Sequence, residues 1–250
     1  MRNKSIDALK TVCSFLIVCI HMPPKIIGGG YWIALCRIGV PIFLMISGYF
    51  YNQESGMKQI RKVAVLFVEA NLIYCVWSYF YGAVSGIFPV ISFDTLLKFV
   101  FLNESPFSGH LWYLGAVLYT QIVIYFLEKW QLKRALYMTI PILLLTDVVF
   151  GKYSILLFGR EFDYLLVRNW LFVGIPFFSI GMLMNEKKLR IGWWGIPVFT
   201  LTTILERFLL VRNGLNAARD QYISTIFLSI SVLSFALEYK GSINNWLAQI

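Results

Sequence analysis

The chain has 250 residues, of which 58% are hydrophobic and 14% charged, with a mean hydropathy of +0.69. A soluble domain carries roughly 25% charged residues, so this composition excludes one and points to an all-α, polytopic transmembrane helical bundle. The net charge of +9 reflects loop topology in such a protein rather than nucleic-acid binding, so membrane lipids are expected partners and nucleic acid is not.

A membrane span needs about 20 mainly apolar residues. Eight runs are placed as spans: 6–27, 31–51, 63–88, 111–127, 136–150, 169–184, 191–211 and 222–237. The first has a basic start but no small-residue cleavage site, and HMPP follows it, so it reads as a retained anchor. Between the third and fourth runs, SFDTLLKFVFLNESPFSG reads as an amphipathic surface segment or a re-entrant piece. Between the fifth and sixth, GKYSILLFGREFDYLLVR reads as an exposed loop with a short helix. The tail KGSINNWLAQI begins a ninth apolar segment and stops. Residues 1–250 therefore read as one transmembrane domain, without internal repeat, that is truncated at its C-terminal end. Cys13, Cys19, Cys36 and Cys75 all fall inside apolar runs without metal-binding or CxxC spacing, and read as small core hydrophobes. No metal site is expected.

Lys and Arg set the orientation. With the N-terminus in the cytoplasm, thirteen of the 22 fall inside and eight outside, with Arg37 within the second span. The expected location is the cell membrane, multi-pass, with the N-terminus cytoplasmic.

The first span carries the chemistry. Asp7, Lys10, Ser14 and His21 share one helical face, and Lys10 and His21 are about three turns, or about 16 Å, apart. A polar stripe of this kind is expected to face a bundle or a wet cavity. Lys10 also suits an interfacial lysine whose stem lies in lipid, and His21 also suits a structural hydrogen bond. The second span, YWIALCRIGVPIFLMISGYFY, runs antiparallel to the first and brings Arg37 to the depth of His21. A buried arginine needs a partner or a water-filled site, and Pro41 interrupts the backbone ladder nearby. A neutral imidazole at that depth can take a proton, as a general base must. His110, in GHLWYLGAVLY, opens the fourth span beside Trp112 and Tyr113. That is either a further functional histidine or part of an interfacial aromatic belt. Glu206 and Arg207 read as charges that pair within the bundle, and Asp147 ends the fifth span.

Taken together, SIDALK followed by His21, then RIGVPIFLMISGYF, then HLWYL resemble the acyltransferase-3 family of bacterial integral-membrane O-acyltransferases. The resemblance implies transfer of an acyl group, usually acetyl, from acyl-CoA to a hydroxyl of a cell-surface glycan or lipid-linked sugar. Acyl-CoA is then a co-substrate, and no bound cofactor is implied. The family places a basic residue ten residues before an essential histidine. Here Lys10 stands where arginine is usual, and His21 matches the histidine. Arg37 opens the motif that matches RxGVPxFFxxSG, and Arg61 falls in the basic stretch after the second span. The expected roles are catalysis by His21 and Arg37 and substrate binding by Asp7, Lys10, Arg61, His110, Trp112 and Tyr113, with the basic groups Lys10 and Arg61 placed where CoA phosphates arrive and His110, Trp112 and Tyr113 shaping the acceptor side. Lysine lacks the planar two-pronged contact of arginine, so position 10 departs from the pattern, as does the early stop. Some relatives form the membrane half of serine racemases linked to vancomycin resistance. An uptake domain of that kind is the second reading, and an inactive scaffold the third.

Overall fold

The computed structural model describes residues 3–23, 28–215 and 221–241. The tail expected to begin a ninth segment lies mostly outside these residues, as does the end of the first run. Among the described residues the chain is helical, without a strand.

Helix α1 (Lys4–His21) starts at Asn3, whose side chain accepts from the Ser5 and Ile6 amides, a standard way of satisfying first-turn donors. It buries Ile6, Leu9, Cys13, Leu16 and Cys19, a three-and-four spacing that puts them on one face. The polar stripe runs along the edge of that face, not at its centre. Asp7 is mostly covered, whereas Lys10 keeps 44% of its side chain exposed and Ser14 and His21 are exposed. The expectation of an inward-facing stripe is corrected accordingly.

The second run is two helices, α2 (Gly29–Cys36) and α3 (Gly39–Tyr49). At the junction the Arg37 and Ile38 amides reach back only three residues, to Ala34 and Leu35. Pro41 has no N–H to give the Arg37 carbonyl, which is the fourth residue back. The break therefore falls where the proline removes a rung, and Arg37 sits at it.

Helix α4 (Gln53–Ser85) starts ten residues before the predicted run and ends at Gly86, which takes φ +76°. Only 11% of its most apolar window is buried, against 44% for Gly29–Tyr49 and for Gly109–Lys129. Helix α5 (Phe93–Leu102) starts at a Ser92–Thr95 capping box and buries no residue, so the amphipathic surface segment is a helix. Helix α6 (Trp112–Lys129) returns against α4. Helix α7 (Lys133–Phe150) carries Pro141 internally, and α8 (Ser154–Phe158) is a single short turn. The loop around α8 is less exposed than expected, because Lys152, Ser154, Leu165 and Val167 are buried. A π-helical turn, Trp170–Gly174, leads into α9 (Ile175–Glu186). Helices α10 (Gly195–Arg212) and α11 (Ile223–Glu238) pack on each other.

The core is built on α3 against α9. Ile42, Leu44 and Met45 of the first and Phe177, Phe178 and Met184 of the second are fully buried. Two glycines let the backbones meet. A Cβ on Gly48 would stand 1.9 Å from the Phe178 carbonyl oxygen, and one on Gly181 would stand 2.0 Å from that of Met45. Small residues at a helix contact permit this approach in membrane proteins.

Among the described residues, three helical stretches are long and apolar enough to cross a membrane: Gly29–Tyr49, Gln53–Ser85 and Gly109–Lys129. Trp170–Glu186 and Ile223–Glu238 are apolar but shorter. The bundle is therefore a helical one of multi-pass character.

Candidate functional site

One end of the bundle gathers polar side chains from several helices and loops. Helix α1 ends there at His21. Helix α6 begins there after a tight 3-10 turn, Gly109–Leu111. The Ser108 hydroxyl oxygen accepts from the His110 amide at 3.4 Å and lies 3.2 Å from His110 Nδ1. Held in this way, the His110 ring stands 4.2 Å from the His21 ring, centroid to centroid, with the planes tilted by 59°. Both histidines are exposed.

Beside the pair lies a cavity of about 60 Å³ lined by His21, Arg37, Trp112, Asp147, Arg168 and Gln221, among others. Arg37 reaches it from the break between α2 and α3. Asp147, near the end of α7, is 2% exposed. The Arg168 guanidinium carbon stands 5.0 Å from the Trp112 ring centre and 4.5 Å from that of Tyr164, so two aromatic faces hold the cation. Two guanidiniums and one carboxylate leave the lining net positive, which suits a group that gains negative charge. The volume holds about two waters, so reacting groups enter from its mouth.

Two asparagines brace this end. Asn103 follows α5 with φ 53°, a left-handed cap that asparagine tolerates. Its Nδ2 donates to the Trp112 carbonyl at 2.8 Å, and its Oδ1 accepts from the Trp170 amide at 2.9 Å. Asn169 accepts from the Leu171 and Phe172 amides and donates to the Leu165 and Leu166 carbonyls. The turn carrying Arg168 is thus tied to the turn carrying Trp112. Burial pushes the carboxyl of neighbouring Glu104 up, against the pull of Lys98 and Arg168.

The predicted residues separate into four places. His21, Arg37 and Trp112 share the cavity, and His110 stands against His21. Tyr113 turns to the core, its ring 6.3 Å from that of Phe43. Asp7 and Lys10 form their own ion pair at 3.4 Å, about three turns from His21 along α1. Arg61 is exposed on α4. Asp147 was visible only as the end of a span. Arg168 and Gln221 carried no signal beyond lying next to span boundaries.

Glu206 and Arg207 are structural. Glu206 accepts from the Tyr153 hydroxyl at 2.6 Å and from the Ile223 and Ser224 amides at 2.9 and 3.0 Å. It thereby caps the N-terminus of α11, where negative charge is stabilising. Arg207 donates to the Tyr222 hydroxyl at 3.2 Å.

The far end has a different character. An open groove of about 550 Å³ lies between the ends of α3, α6 and α9 and the starts of α4 and α7. Lys133 bridges Glu128 and Glu186 there, and the Tyr137 hydroxyl donates to Glu186 at 2.9 Å. Desolvation would lower the Lys133 ammonium, but the hydrogen bonds to the two carboxylates prevail and hold it above its usual range.

The chain is 27% identical over 233 residues to a serine/alanine racemase of Enterococcus gallinarum, covering 82% of this chain and 32% of that one. It is 26% identical over 139 residues to an amino-acid racemase of Enterococcus faecalis, covering 49% of this chain and 19% of that one. The chain thus spans a third or less of the length of these relatives. No solved structure matches it. The acyltransferase-domain profile of the acyltransferase-3 family matches residues 3–250. Every described element, including the end that holds His21, Arg37 and His110, falls within that match, and the chain belongs to the acyltransferase-3 family.

Proposed function

We propose that the protein is an integral membrane O-acyltransferase that moves an acyl group, by default acetyl, from acyl-CoA to a hydroxyl of a cell-envelope glycan or lipid-linked sugar. The observation that carries this reading is the convergence of His21, Arg37 and Arg168 on one cavity, with His110 in ring contact with His21. In the reaction, His21 takes the proton from the acceptor hydroxyl as its oxygen attacks the thioester carbonyl. Arg37, with Arg168 beside it, stabilises the oxyanion that forms. The C–S bond then breaks, and the CoA thiolate recovers the proton. The N-terminus lies in the cytoplasm, and the histidine end lies toward the outer face. Lys10 and Arg61 belong to the donor side, where basic groups meet CoA phosphates.

The test is label transfer from radiolabelled acetyl-CoA to a crude envelope-glycan extract, by the protein in lipid nanodiscs. His21→Ala should abolish transfer and CoA release while abundance and folding stay at wild-type level. Loss of abundance in step with activity would make His21 structural instead.

A second reading is a membrane uptake domain, favoured by the fact that both relatives are named racemases. Polar openings at both ends of the bundle are compatible with a substrate path. Absence of turnover in folded protein, with amino-acid uptake in cells expressing it, would select this reading.

A further inference from the structure

A second cleft is lined in part by His110, whose ring stands against that of His21. It measures about 410 Å³ and runs between the C-terminal half of α4 and the turn that precedes α6. Tyr74, Trp77, Tyr81, Phe88 and Phe107 line it, and His110 closes one end. Its walls are pinned. Ser78 donates to the Phe107 carbonyl at 3.0 Å. Phe88 folds back over α4 where Gly82 makes room, since a Cβ on Gly82 would stand 2.6 Å from the Phe88 ring. Ser108 and His110 form a polar patch, and apart from Ser78 the rest of the lining is aromatic or apolar, with Ile87, Pro89 and Pro106 beside the rings. The helix that forms its long wall is the least buried of the stretches able to cross a membrane. Trp77, Tyr81 and Phe88 are each more than half exposed. An exposed apolar wall of this kind favours a ligand with an apolar part of its own.

We infer that the cleft is the acceptor's binding site, and that the acceptor is an amphiphile: a hydroxylated head group placed at His110, carried on an apolar chain that lies along 74–81 of α4. The chain segment so covered is about 10 Å long. The head group then stands beside His110, whose ring touches that of His21. Apolar chain burial against aromatic faces supplies affinity, and the polar end supplies position. This assignment rests on the acyltransferase reading for its meaning, though not for its binding.

The experiment is photolabelling of the full chain in phospholipid nanodiscs, with a dodecyl β-glucoside that carries a diazirine at the end of its alkyl chain. Label is mapped by mass spectrometry. We expect saturable labelling of 74–81 and of the 106–108 turn, displaced by dodecyl β-glucoside and not by methyl β-glucoside. Trp77→Ala with Tyr81→Ala should reduce labelling about tenfold. Both side chains are mainly exposed, so an unchanged unfolding temperature verifies the fold. Trp130→Ala, on an exposed residue at the far end of the bundle, should leave labelling unchanged. Labelling that dodecyl β-glucoside fails to displace would mean bulk phospholipid fills the cleft, and would overturn the inference. Displacement by methyl β-glucoside, or labelling unchanged in the double variant, would overturn it too. Acetyl-CoA turnover by wild type and His21→Ala in the same nanodiscs separates the two claims. Specific labelling without turnover keeps the amphiphile site and sinks the acyltransferase reading. Turnover without specific labelling does the reverse.

Discussion

Asn103 shows how much one side chain can settle at this end of the bundle. It is fully buried, takes a left-handed backbone, and spends both halves of its amide on the turns that carry Trp112 and Trp170. Asn103→Ala would leave a buried carbonyl and a buried amide without their bonds, at about 1–3 kcal/mol for each group. We expect a clear fall in unfolding temperature in detergent, together with lost activity. Asn103→Gly, which restores only the backbone freedom, should rescue little of either. Lys10 makes the opposite case. Its side chain is partly exposed and leans on Asp7, so Lys10→Arg keeps that pair and adds a two-pronged donor. Under the acyltransferase reading the substitution should keep or raise turnover, and a fall in the KM for acetyl-CoA would locate the donor phosphates. At this scale the sequence was a partial guide. His21 and Arg37 were legible because two adjacent antiparallel runs fix their relative depth. Asp147, Arg168 and Gln221 were not, because a helix end and two separate loops bring them in, and nothing local announces a buried partner. Tyr113 was misjudged because it neighbours Trp112 in sequence, whereas one step along a helix turns a side chain by about 100°.

Among the elements, α3 and α9 depend on absent side chains. Gly48 and Gly181 each face a carbonyl of the other helix at a separation that leaves no room for a methyl group. Gly181→Ala should push the helices apart and cost about 1–3 kcal/mol as overpacking. Gly48→Ala should do the same, and the double variant should cost less than the sum of the two, because the helices separate once. Thermal unfolding of the three variants measures this coupling. Arg37 sits at the top of α3, so the same variants should lower activity beyond their effect on stability. The apolar runs made the helices legible, and Pro41 marked where the second run weakens. The π-helical start of the sixth run was not legible. It exists because Asn169 captures amides and carbonyls on both sides of itself, and such an arrangement has no hydrophobic period. The early start of α4 was hidden for a related reason. Its first turns are polar and lie beyond the apolar run, yet Asn52 caps them by accepting from the Glu54 amide.

For the molecule as a whole, the two ends differ in kind. One gathers the histidines and two guanidiniums, and the other ties α6, α7 and α9 together through Lys133 and its two carboxylates. With the N-terminus cytoplasmic, a cysteine placed at Asn52 should react with a membrane-impermeant maleimide only in inverted vesicles. One placed at Ser108 should react only in intact cells. Reversal of the two results would turn the whole bundle over and put the histidine pair on the cytoplasmic side. The composition of the chain fixed its class, and the charge asymmetry suggested its orientation. The depth alignment of remote residues needed the packed bundle. One feature of the site has a practical side as well. The sequence contains two histidines in all, and they are the pair in ring contact. Any signal peculiar to imidazole, whether an adduct with a histidine-selective reagent or a resonance from isotopically labelled histidine, arises at the site and nowhere else in the chain. The protein thus carries its own reporter, readable in unmodified form while donor and acceptor are added in turn.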